Sequence, residues 1–185
     1  MKNFYEDLIP NADILYTEAI ESINNYLETP KYYFKELFTL KNDYYETNLP
    51  IFESIGLNNT KVPKSDKPMN EIQGLYVFYE DNHAKYVGIS RKIINRLRNH
   101  FIGKDHYSAS LVYLMARAEE DELNGMFTKR RSDLDFEKYR NKIQPKIRET
   151  WQIQIIPETN SYKRALMEIL LACRLQTEWN SFDTH

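Results

Sequence analysis

The chain of 185 residues carries 25 Lys plus Arg against 27 Asp plus Glu, with 42% hydrophobic residues, only five Gly and a single cysteine. That length suits one domain, the apolar share argues against disorder, and one cysteine excludes a disulfide-built scaffold. No apolar run approaches a membrane span and the acidic start MKNFYEDLIPNAD lacks a signal-peptide core, so a cytoplasmic globular protein with no membrane partner is expected.

Residues 3–28 read as a helix broken at Pro10–Asn11, with Ile14, Leu15, Ala19, Ile23 and Leu27 as its apolar stripe. A second helical stretch is expected over Tyr32–Leu40. Residues 58–70 (NNTKVPKSDKPMN) are polar, carry two prolines and show no periodicity. They read as a linker that separates a helical extension, residues 1–70, from a main domain, residues 71–185. Residues 73–79 (QGLYVFY) and 85–89 (KYVGI) are β-prone runs joined by a turn at 80–84. Ser90 can cap the helix that follows, whose stripe is Ile93, Ile94, Leu97 and Phe101. Further helices are expected from near Ser108 and over about 133–150, then a third strand over Trp151–Ile156. A last helix capped by Asn160 or Ser161 spans about 162–177. Cys173 falls on its apolar face and reads as core. The fold class is α/β (α+β): a small three-stranded antiparallel sheet flanked by helices, with a helical N-terminal extension and an inserted helical region about 105–150.

Charge is unevenly spread. Residues 1–70 hold 7 Lys, no Arg and 11 acids, whereas no acid lies between Asp81 and Asp105. That interval contains Lys85, Arg91, Lys92, Arg96, Arg98 and Lys104. A second basic stretch runs from Lys129 through Arg130 and Arg131 to Arg148. Two basic patches on a near-neutral chain suggest a local anionic ligand, although each alone also fits a solvated helix face.

Chemistry concentrates on three elements. A turn centred near Asp81 pairs Tyr76 with Tyr86 and Gly74 with Gly88, so that each glycine leaves room for a ligand or a backbone. The two phenols are equally explained as a stabilising cross-strand pair. Lys92, Arg96 and His100 form a row at i, i+4, i+8. An arginine there can hold a phosphate through paired donors, and the histidine can handle a proton. Glu168 falls on the apolar side of the last helix, where a carboxylate needs either a salt bridge, for example to Arg164, or a metal ion.

GLY at 74–76, YVG at 86–88, Arg96, His100, Glu168 and Asn180, in that order, resemble the GIY-YIG nuclease superfamily. The resemblance covers about 71–185. Leu75 and Val87 stand in place of isoleucines, Thr177 where many members carry proline, and the interval from His100 to Glu168 is longer than in minimal members. The resemblance implies a metal-dependent endonuclease acting on double-stranded DNA, in a restriction or phage-defence setting. Glu168 would hold Mg²⁺ or another divalent cation such as Mn²⁺, and Arg96 the scissile phosphate. Tyr76 would act on the attacking water, with Tyr86 and His100 orienting water or phosphate. Asn180 would fix the end of the metal-binding helix near the hairpin. His106 is a secondary candidate. Arg91, Lys92, Arg98, Lys104, Lys129, Arg130 and Arg131 would track the DNA backbone, and the N-terminal helices can form a homodimer contact or pack over the main domain. A non-catalytic nucleic-acid-binding module and a structure-specific repair nuclease are the alternatives.

Overall fold

The computed structural model describes residues 4–26, 28–41, 44–60, 69–125 and 130–180. Helix α1 (Phe4–Tyr26) continues through Pro10 instead of breaking there. A proline removes one hydrogen bond, and the later turns are held by packing, since Ala19, Ile23 and Tyr26 are buried. Ile14 of the expected stripe is exposed, and Leu27 lies outside the described residues. The helix expected over Tyr32–Leu40 is a single turn, α2 (Phe34–Leu37), between strands β1 (Lys31–Tyr33) and β2 (Phe38–Lys41). Strand β3 (Tyr44–Thr47) pairs with β2 as a hairpin, and α3 (Leu49–Ile55) follows. The N-terminal third is therefore mixed, not helical. Aromatic side chains with a strong β preference outweigh the helical spacing there.

The ends of the expected linker pair with each other: β4 (Asn58–Thr60) lies antiparallel to β5 (Met69–Glu71). Residues 61–68 lie outside the described residues. Strands β6 (Gly74–Glu80) and β7 (His83–Ser90) are joined by a two-residue loop in which Asp81 and Asn82 take left-handed φ values of 48° and 64°. Asp and Asn tolerate that conformation, and such loops suit the twist of a hairpin. A register shift between Phe78 and Tyr79 then sets Phe78 opposite Tyr86, Tyr76 opposite Gly88 and Gly74 opposite Ser90. The expected Tyr76–Tyr86 and Gly74–Gly88 pairs are thus displaced by two residues, one from the turn lying between Asp81 and Asn82 and one from the irregularity, neither of which alternation alone records.

Helix α4 (Ile93–Ile102) buries Ile93, Ile94, Leu97 and Phe101. It is followed by α5 (Ser110–Asn124), α6 (Phe136–Thr150), β8 (Gln152–Pro157) and α7 (Ser161–Leu175). The Asn160 side chain caps α7, accepting from the N–H groups of Tyr162 and Lys163 at 3.0 and 3.1 Å. The main sheet has four antiparallel strands in the order β1-β8-β6-β7, one more than expected, since Lys31–Tyr33 pairs with Gln152–Gln154. Side chains alternate across it. Tyr76, Phe78, Ile153 and Ile155 pack with Phe34, Phe38, Phe52, Leu97 and Phe101 on one face. Leu75, Val77, Val87 and Ile156 pack on the other against Ala19 and Ile23 of α1 and Met167 and Leu171 of α7.

Residues on both sides of 58–70 thus share one core. A buried polar network locks them together. Gln154 donates to the carbonyls of Tyr26 and Thr29 and accepts from the Tyr79 hydroxyl at 2.9 Å, which lies 3.3 Å from the Tyr26 hydroxyl. Cys173 is exposed, not core: Leu171 and Ala172 are buried, and the next residue rotates about 100° away from them. Among the described residues no helix is long and apolar enough to cross a membrane.

The N-terminus of α4 is capped from a distance. The buried Glu71 carboxylate accepts from the N–H groups of Ile94 and Asn95 at 3.0 and 3.1 Å, while Ser90 only accepts from Lys92 N at 2.9 Å. At the other end Gln144 donates to the carbonyls of His100 and Gly103, and Arg148 to that of Phe101 at 2.6 Å. Helix ends leave orphan donors and acceptors, and these three side chains satisfy them. Glu71→Ala removes a cap and is expected to lower unfolding free energy by about 0.5–2 kcal/mol in urea titration.

Candidate active site

Tyr76 stands on the central strand with its ring toward α4, and it is fully buried. The bare Cα of Gly88 makes room for it. A Cβ at that position would come within 2.4 Å of Tyr76 Cζ and of its hydroxyl. A Cβ on Gly74 would meet the Ile156 carbonyl oxygen at 1.9 Å. These glycines therefore admit the Tyr76 side chain and the β8 backbone, not a ligand.

Two side chains of α4 reach the Tyr76 hydroxyl. His100 Nε2 lies 2.8 Å away and Arg96 Nε donates to it at 3.3 Å. The other arm of Arg96 is held by the next loop, donating to the Ser108 carbonyl at 3.0 Å and to Ser110 Oγ at 2.6 Å. The Tyr86 ring completes the group, with centroids 6.2 Å from Tyr76 and 6.0 Å from His100. Lys92 does not share the row, because it precedes the first turn of α4.

Burial sets the protonation states. It pushes the Tyr76 phenol well above its ordinary pKa, aided by Tyr86 and Glu168 and opposed by Arg96. It raises Tyr86 too, again against Arg96. Burial disfavours the charge on Arg96, but the Tyr76 and Tyr86 phenols outweigh it and hold the guanidinium firmly protonated. His100 is pushed well below its usual value, first by burial and then by the Arg96 charge, so it is neutral. Among the described residues its Nδ1 is buried without a hydrogen-bond partner. An orphan lone pair costs less than an orphan N–H, so the favoured tautomer carries its proton on Nε2 and donates to Tyr76. The phenol oxygen then accepts from two donors.

Glu168 of α7 is half-buried, and its charge is felt by both phenols. Burial raises its carboxyl pKa. It makes no hydrogen bond or ion pair among the described residues. Arg164, the expected partner, is buried and donates to the Glu158 carbonyl at 3.0 Å. No group of three or more His, Cys, Asp or Glu side chains capable of holding a metal occurs among the described residues. A cation bound here would therefore take one protein carboxylate and draw its other donors from water and phosphate. Mg²⁺ commonly binds in that way, so Glu168 fits the ion that the resemblance implies.

Asn180 joins the site from the segment after α7. Its Oδ1 accepts from Val87 N at 2.7 Å and its Nδ2 donates to Val87 O at 2.8 Å, while Thr177 Oγ1 donates to the same Oδ1 at 2.9 Å. Trp179 N donates to Lys85 O at 2.9 Å. Together they cover the free edge of β7 and fasten α7 to the hairpin.

Against known proteins, the chain matches no family model, no curated protein and no solved structure. Its functional reading rests on its own residues.

The basic residues divide into free and committed. Arg91, Lys104 and Arg130 are exposed. Arg98 turns inward: it donates to Tyr45 O and Thr47 Oγ1 and lies over the Phe38 ring. Arg131 donates to the His106 carbonyl and stacks 3.9 Å from the Tyr113 centroid. Lys129 lies outside the described residues. His106 is half-buried beside Tyr107, Tyr113 and Phe136 rather than exposed. Sequence reasoning missed Glu71, Ser108, Ser110 and Gln144. Only Gln144 carried a signal, as a polar residue flanked on its helix by the buried Ile143 and Ile147.

Two outcomes follow from this geometry. Gly88→Ala is expected to displace the Tyr76 ring and to destabilise the fold by about 1–3 kcal/mol by chemical denaturation; an unchanged midpoint would mean that the ring moves freely. Because burial raises the Glu168 pKa, the ionised carboxylate is disfavoured in the folded state at neutral pH, and this penalty fades as pH falls from the raised folded value to the unfolded one. Glu168→Gln should therefore melt higher than wild type at pH 7 without metal, and the difference should vanish near pH ~4.

Proposed function

We propose that this chain is a GIY-YIG-type endonuclease that hydrolyses phosphodiester bonds of DNA with a divalent metal ion. The observation that carries the reading is the convergence on one buried phenol, Tyr76, of a neutral histidine, a charged arginine and an unpaired carboxylate, from β6, α4 and α7. An ion pair or an aromatic cross-strand contact would explain one of these groups, but not Glu168 left without a partner.

Arg96 binds the non-bridging oxygens of the scissile phosphate. Its bonds to Tyr76, Tyr86, Ser108 and Ser110 do not exhaust the five N–H donors of a guanidinium. Those same bonds fix its orientation in advance, so little reorganisation accompanies charge development. The Tyr76 hydroxyl accepts from Arg96 and His100 and bonds to Tyr86, so the two phenols together position the attacking water. Both phenols are protonated at neutral pH, so they position the water, and its proton leaves to solvent. Tyr86, beside Tyr76 and His100, keeps the phosphate oriented. When bound, the metal ion on Glu168 supplies Lewis-acid stabilisation of the leaving oxygen. Asn180 holds α7, and hence Glu168, in register with the hairpin. Exposed Arg91, Lys104 and Arg130 supply backbone attraction without reading sequence. A homodimer through α1 belongs to the same reading; Ile14 and Tyr16 are its exposed apolar residues.

Supercoiled plasmid with Mg²⁺ tests the reading, alongside an EDTA control. Wild type should cut, and Arg96→Lys, Tyr76→Phe and Glu168→Gln should each lose roughly 10²-fold or more in rate. Full cutting by Glu168→Gln would sink the assignment of the metal ligand. Salt-sensitive binding with no cleavage of any DNA or RNA substrate would favour a non-catalytic nucleic-acid-binding module instead.

A further inference from the structure

The loop between α4 and α5 carries an aromatic group that the site does not use. Tyr107 is 70% exposed. A single exposed aromatic is ordinary, but this one stands on a fixed loop. Asp105 Oδ1 accepts from the N–H groups of Tyr107 and Ser108 at 3.0 and 2.9 Å, and the Ser108 hydroxyl donates to the same carboxylate at 2.6 Å. The His106 ring lies 4.3 Å from the Tyr107 ring, between centroids. Arg131 donates to the His106 carbonyl and sets its guanidinium 5.3 Å from the Tyr107 centroid and 3.9 Å from that of Tyr113. The loop backbone is thus fixed in advance of any ligand and the ring is flanked by His106 and Arg131, which lowers the entropy lost on binding.

Its position connects it to the phosphate site. The residue after Tyr107 gives its carbonyl to Arg96 at 3.0 Å, so the ring stands one residue from the group that would grip the scissile phosphate. Its surroundings are cationic. Lys104, three residues before it, and Arg130, next to Arg131, are exposed, and Arg131 lies over the ring. The neighbouring acids are occupied: Asp105 by the turn, and Asp133 by Arg130 N at 3.1 Å. An exposed π-face ringed by arginine and lysine beside a phosphate-binding arginine is the chemistry that stacks a nucleobase. A duplex keeps its bases stacked on one another, so such a platform is usable only where a base is unpaired.

We propose that Tyr107, backed by His106 and Arg131, is a stacking platform for an unpaired base beside the phosphate held by Arg96, making single-stranded or branched nucleic acid the preferred substrate. This rests on the nuclease reading for the phosphate site, and it is tested separately by binding without metal.

The probe is a fluorescein-labelled oligonucleotide carrying one 2-aminopurine, single-stranded or annealed to its complement, titrated with full-length protein in EDTA. Wild type should bind the single strand more tightly than the duplex and quench the 2-aminopurine. Tyr107→Ala should weaken single-strand binding about ten-fold or more and abolish quenching, with little effect on the duplex; Tyr107→Phe, which keeps the π-face, should stay near wild type. Lys104→Ala should weaken both ligands alike and flatten the salt dependence. Equal binding by Tyr107→Ala, an equal loss on both ligands, or no binding by wild type would each overturn the platform. Tyr107-dependent binding with no cleavage in Mg²⁺ of the single strand, a branched substrate or plasmid would overturn only the nuclease reading. Cleavage with Tyr107→Ala unaltered on single strands would overturn only the platform.

Discussion

Helix α4 is held at both ends by side chains from elsewhere in the chain, and the site depends on that clamp. Glu71 takes its first free N–H groups, and Gln144 and Arg148 take its last carbonyls. Arg96 and His100 are useful only if α4 neither slides nor rotates against β6, because both must meet one phenol oxygen. The clamp also explains why the long interval between His100 and Glu168 is no ornament. Helix α6, inside that interval, closes the C-terminal end of α4 and contributes Tyr139, Ile143 and Ile147 to the same core.

Dryness determines what the cluster can do. Burial leaves His100 neutral and the Tyr76 phenol protonated, so Arg96 is the charged donor at the phenol oxygen. A lone guanidinium among neutral phenols acts through a low local dielectric, where its attraction for an anion is far stronger than in water. The same burial makes an uncompensated carboxylate expensive. Glu168 is therefore a destabilising residue in the bare fold, and such residues are most readily understood when a ligand compensates them.

The N-terminal third is structural to this arrangement. Strand β1 adds to β8, α1 lies against α7, and Phe34, Phe38 and Phe52 enter the core beneath α4. The Tyr26–Tyr79–Gln154 network replaces water for five polar groups that the packing buries. Arg98 illustrates the consequence. It looks from sequence like another phosphate ligand, yet the β2–β3 hairpin takes its donors and Phe38 lies under its guanidinium. The acidic N-terminal segment thus selects which arginines remain free for an anion.

What the sequence determined by itself was local and periodic. The β6–β7 hairpin, α4 with its stripe, β8, and α7 with its Asn160 cap all follow from alternation, helical spacing and capping chemistry. The six motif residues could be chosen because their types and intervals are unusual together, and Glu168 stood out as a carboxylate on an apolar face. Only the tertiary structure decided which groups meet. A turn centred between Asp81 and Asn82 and a one-residue irregularity together moved Gly88, not Tyr86, opposite Tyr76, and turned the glycine from a ligand gap into a seat for the ring. Strand β1 could not be read because three residues carry no period of their own; pairing with β8 makes them a strand. Glu71 and Gln144 act across long stretches of chain, and no local pattern records a hydrogen bond whose partner is set by how elements pack.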